Sequence, residues 1–139
     1  MLALSDEVQR ALTGGRLAHL TTINPDGSPQ MSVVWIGLED GDIVIGHLMG
    51  GRKVENIRRD PRVALSVEAE GANPVGMRNH LVAYGRARLV PGGAPELLQR
   101  LARVYLGPDV TFPPMDDPPR GHVIHVTLER LAGVGPWAP

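Results

Sequence analysis

The spacing of apolar positions changes several times along the chain, and each change marks a new element. From Leu4 to Leu12, Val8, Ala11 and Leu12 recur at helical spacing behind Ser5, a residue type that caps helix N-termini, and Gly14 and Gly15 end the run. Alternation then takes over. "RLAHLTTI" and "PQMSVVWIGL" flank "NPDG", where Pro25 presets the turn and Gly27 relaxes it, so the pattern predicts a hairpin. On the second strand Met31, Val33 and Trp35 share one face, and Gln30, Ser32, Val34 and Ile36 share the other. The acidic turn "EDGD" leads to "IVIGHL", which predicts a three-stranded meander broken at Met49-Gly50-Gly51.

From Arg52 to Arg59 the period is helical again: Val54 and Ile57 pair at i,i+3, Glu55 can reach Arg58 or Arg59, and Asp60-Pro61 stops the helix. "RVALSVEA" and "NHLVAYGRARLV" alternate as strands. "APELLQRLARVYLG" places Leu97, Leu98, Leu101, Val104 and Tyr105 on one helical face. The segment Gly107 to Gly121 is rich in proline and predicts an irregular excursion, after which "HVIHVTLERLAGVGPW" supplies the last strand. The sum is an α+β domain with a mainly antiparallel, barrel-like sheet of about six strands and two or three short helices. No repeat or linker divides residues 1–139, so a single domain is expected.

Composition narrows the chemistry. Without cysteine the 139 residues can form no disulfide, thiolate metal site or cysteine nucleophile. A formal net charge of −1 removes the overall attraction expected of a nucleic-acid or membrane-surface binder, so any anion must be recognised locally. No apolar run approaches the length of about 20 residues that spans a bilayer, and "MLALSDEVQR" lacks the features of a signal peptide. A cytoplasmic protein is expected, with neither nucleic acid nor membrane as partner.

One position stands out in charge type. Lys53 is the only lysine, in "GHLMGGRKVENIRRDPRVALSV", directly after two glycines and at the head of a helix. Gly50 and Gly51 allow close backbone approach, and the free N–H groups at the start of the helix suit an anion such as phosphate, to which lysine adds a point charge. The same spacing also fits an ordinary loop with solvated charges. Neither Walker nor Rossmann glycine spacing is present. The five histidines form no HxxxH or HExxH pair, and no Gly-x-Ser-x-Gly elbow presents a nucleophile, which argues against metal and serine-hydrolase chemistry.

"DGSPQMS" on the second strand and "KVENIRRDPR" downstream, in this order and separation, resemble the pyridoxamine-phosphate-oxidase-like split β-barrel superfamily. More narrowly, the chain is similar to its actinobacterial flavin/deazaflavin oxidoreductases that use coenzyme F420, over roughly Asp6 to Pro136. The resemblance implies a homodimer with the cofactor at the subunit interface. It places Gln30, Ser32 and Val33 beside the ring system, Lys53 and Asn56 at the phosphate with Arg52 assisting, and Met77 and Arg78 on a segment covering the partner's ring. Relatives often carry an arginine two residues before the lysine, where this chain has Gly51. Arg58 and Arg59 then read as surface charges partnered by Glu55, and Trp35 and Tyr84 as structural. The implied activity is hydride transfer from reduced F420 to a small organic acceptor, with no residue identified as proton donor. FMN in the same fold is the alternative, and a non-enzymatic cofactor or haem carrier is the third.

Overall fold

A computed structural model describes residues 2–138. In chain order the elements are α1 (Asp6–Thr13), β1 (Ala18–Ile23), β2 (Pro29–Val34), β3 (Gly37–Glu39), β4 (Asp42–His47), α2 (Arg52–Arg59), β5 (Arg62–Ala72), β6 (Arg78–Pro91), α3 (Ala94–Tyr105) and β7 (His122–Val134). The class is the expected one, α+β with an antiparallel sheet. Its strands number seven, in the order β2-β1-β5-β6-β7-β4-β3, against the six expected. The extra strand comes from a break inside "PQMSVVWIGL". There the Ile36 N–H donates to the Tyr105 hydroxyl at 3.0 Å, and that hydroxyl donates to the Arg16 carbonyl at 2.9 Å. A backbone group committed to a side chain cannot continue a ladder.

This break also corrects the expected meander. β2 pairs with β1, and β3 pairs with β4 through Gly37–Val44, Leu38–Ile43 and Glu39–Asp42, so the two halves of the predicted strand lie at opposite edges of the sheet. Laid flat, seven strands would separate those edges by about 29 Å at the usual interstrand spacing. The three-residue step from Val34 to Gly37 spans about 10 Å at most. The sheet therefore curls until its edges meet, as a split barrel.

Inside the curl pack Leu20, Ile43, Ile45, Leu65, Leu81, Ile124 and Val126, all buried. Outside it α3 lays Leu97 and Leu101 on Val44 and Val123, so β4 is buried on both faces. That explains why "IVIGHL" reads as an unbroken apolar run rather than an alternating one. On α3 the expected face includes Leu97 and Leu101, but Val104 is exposed. The long strands β6 and β7 change register between Tyr84 and Gly85, where a Cβ on residue 85 would collide with the Thr127 carbonyl oxygen. Glycine is needed there for close approach at a bulge.

α1 starts where the sequence indicates, with Ser5 Oγ accepting from the Val8 N–H at 3.3 Å. α2 packs against β1, β2 and β6, burying Val54 and Ile57. Asn56 holds it there. At 1% exposure, its amide nitrogen donates to Thr22 Oγ1 and Asn24 Oδ1, both at 3.0 Å. Arg59 donates to Asn56 Oδ1 at 3.3 Å and to the Ile23 carbonyl. Arg59 is thus an exposed charge tied to β1 rather than to Glu55, whereas Arg58 does lie 3.6 Å from Glu55.

Two consequences can be measured. Asn56→Ala strips the buried Thr22 hydroxyl and Asn24 of their donor and should lower unfolding free energy by about 1–3 kcal/mol in urea titration. Gly85→Ala forces the β6–β7 bulge apart and should cost at least about 1–3 kcal/mol, read as a lower Tm. A Tm equal to the parent's would mean that the bulge has slack.

Candidate cofactor site

Strand alternation turns Val33 outward at the end of β2, and Trp35 follows on the same side of the break. His47 ends β4, the glycine pair carries the chain away, and Lys53 sits in the first turn of α2. These elements converge on one groove of about 400 Å³, closed on its far side by Leu98 of α3 and Phe112 of the proline-rich segment. Its walls are apolar and aromatic, and among the described residues Lys53 and His47 are the only ionisable side chains lining it.

The aromatic wall is fixed from behind. Trp35 stacks on Tyr105 with centroids 5.3 Å apart and planes 12° from parallel, and Phe112 tilts against its ring at 5.1 Å. Gln99 straps the proline-rich segment onto α3, donating to the Val110 carbonyl at 2.8 Å and accepting from the Phe112 N–H at 2.9 Å.

At the other end, the α2 N-cap is Gly51, which has no side chain to satisfy the first-turn N–H groups. Lys53 is half-buried beside them, and burial pushes its ammonium below the ordinary lysine value. Among the described residues no carboxylate pairs with it, although Arg62, Arg88 and Arg120 each have one, at 2.8, 3.1 and 3.1 Å. The Lys53 charge is therefore desolvated without compensation from the protein. Such a site gains most from a bound anion. His47 is pushed below its ordinary value by burial first, then by Lys53 and by His122.

The residues expected at the site are distributed over several places. Val33 and Lys53 line the groove together. Gln30 and Ser32 face the barrel interior opposite Thr22 and Leu20, and the buried Ser32 hydroxyl has no partner. Asn56 lies beneath α2, its amide engaged with β1, so it positions the helix that carries Lys53. Arg52 is exposed and adds its charge to the β1–β2 turn, where the Asp26 carboxyl is held below the usual range chiefly by Ser28. Met77 and Arg78 are at the β5–β6 hairpin, whose tip is closed by Asn73 Oδ1 accepting from the Val75 and Met77 N–H groups. They do not line the groove.

His47, Trp35, Met49, Leu98 and Phe112 were not among the expected site residues, yet all line it. The alternation Val33-Trp35 and the position of His47 before the glycines were signals available in the chain. Phe112 had none, because only the strap from Gln99 brings it there. A larger concavity of about 520 Å³ lies between α1 and Trp137. It mixes Glu7 and Glu70 with Arg10 and Arg16, so it lacks the uncompensated charge that distinguishes the groove.

Comparison with known proteins bears on the fold and the family. A structure described as an F420 reductase superposes with a TM-score of 0.74 at 25% identity, covering 93% of this chain and 98% of that one. The conserved hypothetical protein Rv2991 of Mycobacterium tuberculosis gives 0.71 at 25% identity, over 96% and 86%. HupZ of Group A Streptococcus, at 17% identity, shares the fold with a TM-score of 0.66 over 98% of both chains. The sequence model of pyridoxamine 5'-phosphate oxidase matches residues 4–135. The chain therefore belongs to the pyridoxamine 5'-phosphate oxidase family, a flavin-binding group of oxidoreductases built on this split barrel.

Proposed function

We propose that the protein is an oxidoreductase that binds coenzyme F420 and transfers hydride to a small organic acceptor, with a homodimer completing the site. The carrying observation is Lys53: a half-buried cation without a carboxylate partner, at an uncapped helix start, opening onto an apolar groove of about 400 Å³. That volume is in the range of small-molecule sites. An anionic tail at Lys53 and a planar ring along Val33 and Trp35 match the two ends of the groove in chemistry. The likeness to an F420 reductase over nearly the whole of both chains favours the deazaflavin.

When bound, the deazaflavin supplies the hydride. The protein's part is to hold and to shield. Lys53 and the first N–H groups of α2 bind the phosphate, while Val33, Trp35 and Phe112 keep water from one side of the groove. Among the described residues the ionisable side chains lining the groove are Lys53 and His47, both at the anion end, so solvent serves as proton source for the acceptor. FMN is the second reading, because a cation at a helix N-terminus accepts either cofactor's phosphate.

Dimerisation has its own support. Met31, Thr21, Ala64 and Tyr84 form one cross-strand row over β2, β1, β5 and β6 on the outward face. Met31 is 61% exposed and its neighbour Val33 55%. Exposed apolar side chains grouped at one end of a sheet face, as Met31 and Val33 are, mark an interaction surface. The β5–β6 hairpin with Met77 and Arg78 would then reach toward the partner's groove.

Titration with F420 by fluorescence quenching, with FMN, and with haemin by absorbance separates the readings, and the expected result is tight binding of F420. FMN bound in its place would replace this reading by the second, and haemin alone would overturn both. Lys53→Ala should weaken binding by about 1.5–3 kcal/mol, with Lys53→Arg recovering part of the loss. Unchanged affinity in Lys53→Ala would return the lysine to a solvated charge. Met31→Glu should shift the protein from dimer to monomer in light scattering.

A further inference from the structure

His47 has surroundings unlike those of the other histidines. It stands directly opposite His122 in the β4–β7 register, lines the groove with Lys53, and buries its Nε2 without a hydrogen-bond partner. Gly51 lies over that nitrogen, and a Cβ there would come within 3.6 Å of it. Apart from the Gly50 backbone, to which the ring is hydrogen-bonded, the side chains around it in the groove are cationic or apolar. Lys53 approaches from α2, His122 from β7, Leu98 from α3, and Val33, Val34 and Trp35 from the β2 side. Behind His122 is Arg58, whose Nη2 is 3.2 Å from His122 Nε2. A guanidinium only donates, so His122 is the acceptor in that contact. The nearby carboxylates are engaged elsewhere: Glu55 lies by Arg58, Glu96 by Arg120, and Asp42 by Arg88 at the far end of β4. Among the described residues, none pairs with Lys53 or with His47.

We propose that His47 is the proton-taking member of the phosphate end, accepting a proton from solvent when a phosphate monoester docks against Lys53. Docking of a dianionic phosphate is thereby linked to proton uptake, and docking of a singly charged phosphodiester is not. This rests on the reading of Lys53 as the phosphate anchor. In the empty groove burial, and after it the Lys53 charge, oppose protonation of His47, with only the Gly50 backbone hydrogen bond acting the other way. A dianion beside Lys53 overcompensates that single positive charge and reverses the sign of the local field at the imidazole. A phosphodiester carries one charge, which Lys53 alone balances, so it leaves His47 as it was. His47 acts through the field it shares with Lys53, as a positioning group, because its unpartnered nitrogen is buried against Gly51.

The sign of the pH dependence follows. Binding raises the midpoint of His47 from below the ordinary histidine value, so its contribution to affinity is fully present below the free-state midpoint. The contribution is lost as pH rises through the bound-state midpoint. Between the two, Kd for a monoester should rise by up to about tenfold per pH unit. The lower limit is the monoester's own second ionisation near about pH 6, where the dianion disappears.

Nitrogen-15 NMR of the histidine side chains reads the effect without relying on a variant that must fold. The protein is titrated alone, with saturating inorganic phosphate, with FMN, whose phosphate is a monoester, and with F420, whose phosphate is a diester. The His47 midpoint should move up with inorganic phosphate and FMN, stay in place with F420, and stay in place with phosphate in Lys53→Ala. His47→Gln should bind FMN with a Kd that no longer follows pH in this window. A His47 midpoint unmoved by phosphate and FMN, or moved equally by F420, overturns the proposal, even if cofactor binding itself stands. A midpoint that moves with inorganic phosphate while neither FMN nor F420 binds keeps the assignment of His47 and removes the cofactor reading.

Discussion

Two residues, Trp35 and Ile36, join strands that lie at opposite edges of the same sheet, and the rest of the structure follows from that short link. A chain of this length cannot bridge a flat sheet, so the sheet has to curl. Curling gives it an inside and an outside, each with its own core. It also creates the point where the groove forms, because Trp35 at the seam is presented sideways to α3 and to the proline-rich segment. The Tyr105 hydroxyl, bonded to both Ile36 and Arg16, fixes the seam and places the aromatic stack that becomes one wall of the groove.

The second wall depends on α2, a helix of eight residues that could not persist alone. Val54 and Ile57 bury its apolar side, and Asn56 and Arg59 tie it to β1. Its start, capped by glycine, is thereby held in place with Lys53 half-buried. The helix is rigid at its bonded end and unsatisfied at its first turn. That asymmetry places a desolvated cation where an anion can reach it, and the neighbouring His47 ring shares the same field.

Much of the architecture was legible in the chain because it follows from short-range rules. The bounds of α2 are those that Gly51 and Asp60-Pro61 indicate, Ser5 caps α1, and "NPDG" turns the first hairpin. The strand count came out one short, since a single hydroxyl contributed 69 residues downstream decides whether Ile36 continues a ladder. For the same reason Arg59 read as a partner of Glu55: its acceptor on β1 becomes a neighbour only after the barrel closes. Within the candidate site, Lys53 was visible as an oddity of charge type beside glycines. The groove's aromatic wall was half visible, as Val33 and Trp35 sharing a strand face, while Phe112 sits in a proline-rich stretch with no periodicity to read.

The sequence by itself determined the elements, the family pattern and the one lysine at the start of a helix, because periodicity, capping and turn chemistry act within a few residues along the chain. Only the tertiary structure decided which face of the second strand meets the cation, that Asn56 supports α2 from beneath, and that Lys53 and His47 share one groove without a carboxylate. Burial and partnership are sums over groups distant in sequence, and those sums exist only once the sheet has curled and the helices have docked.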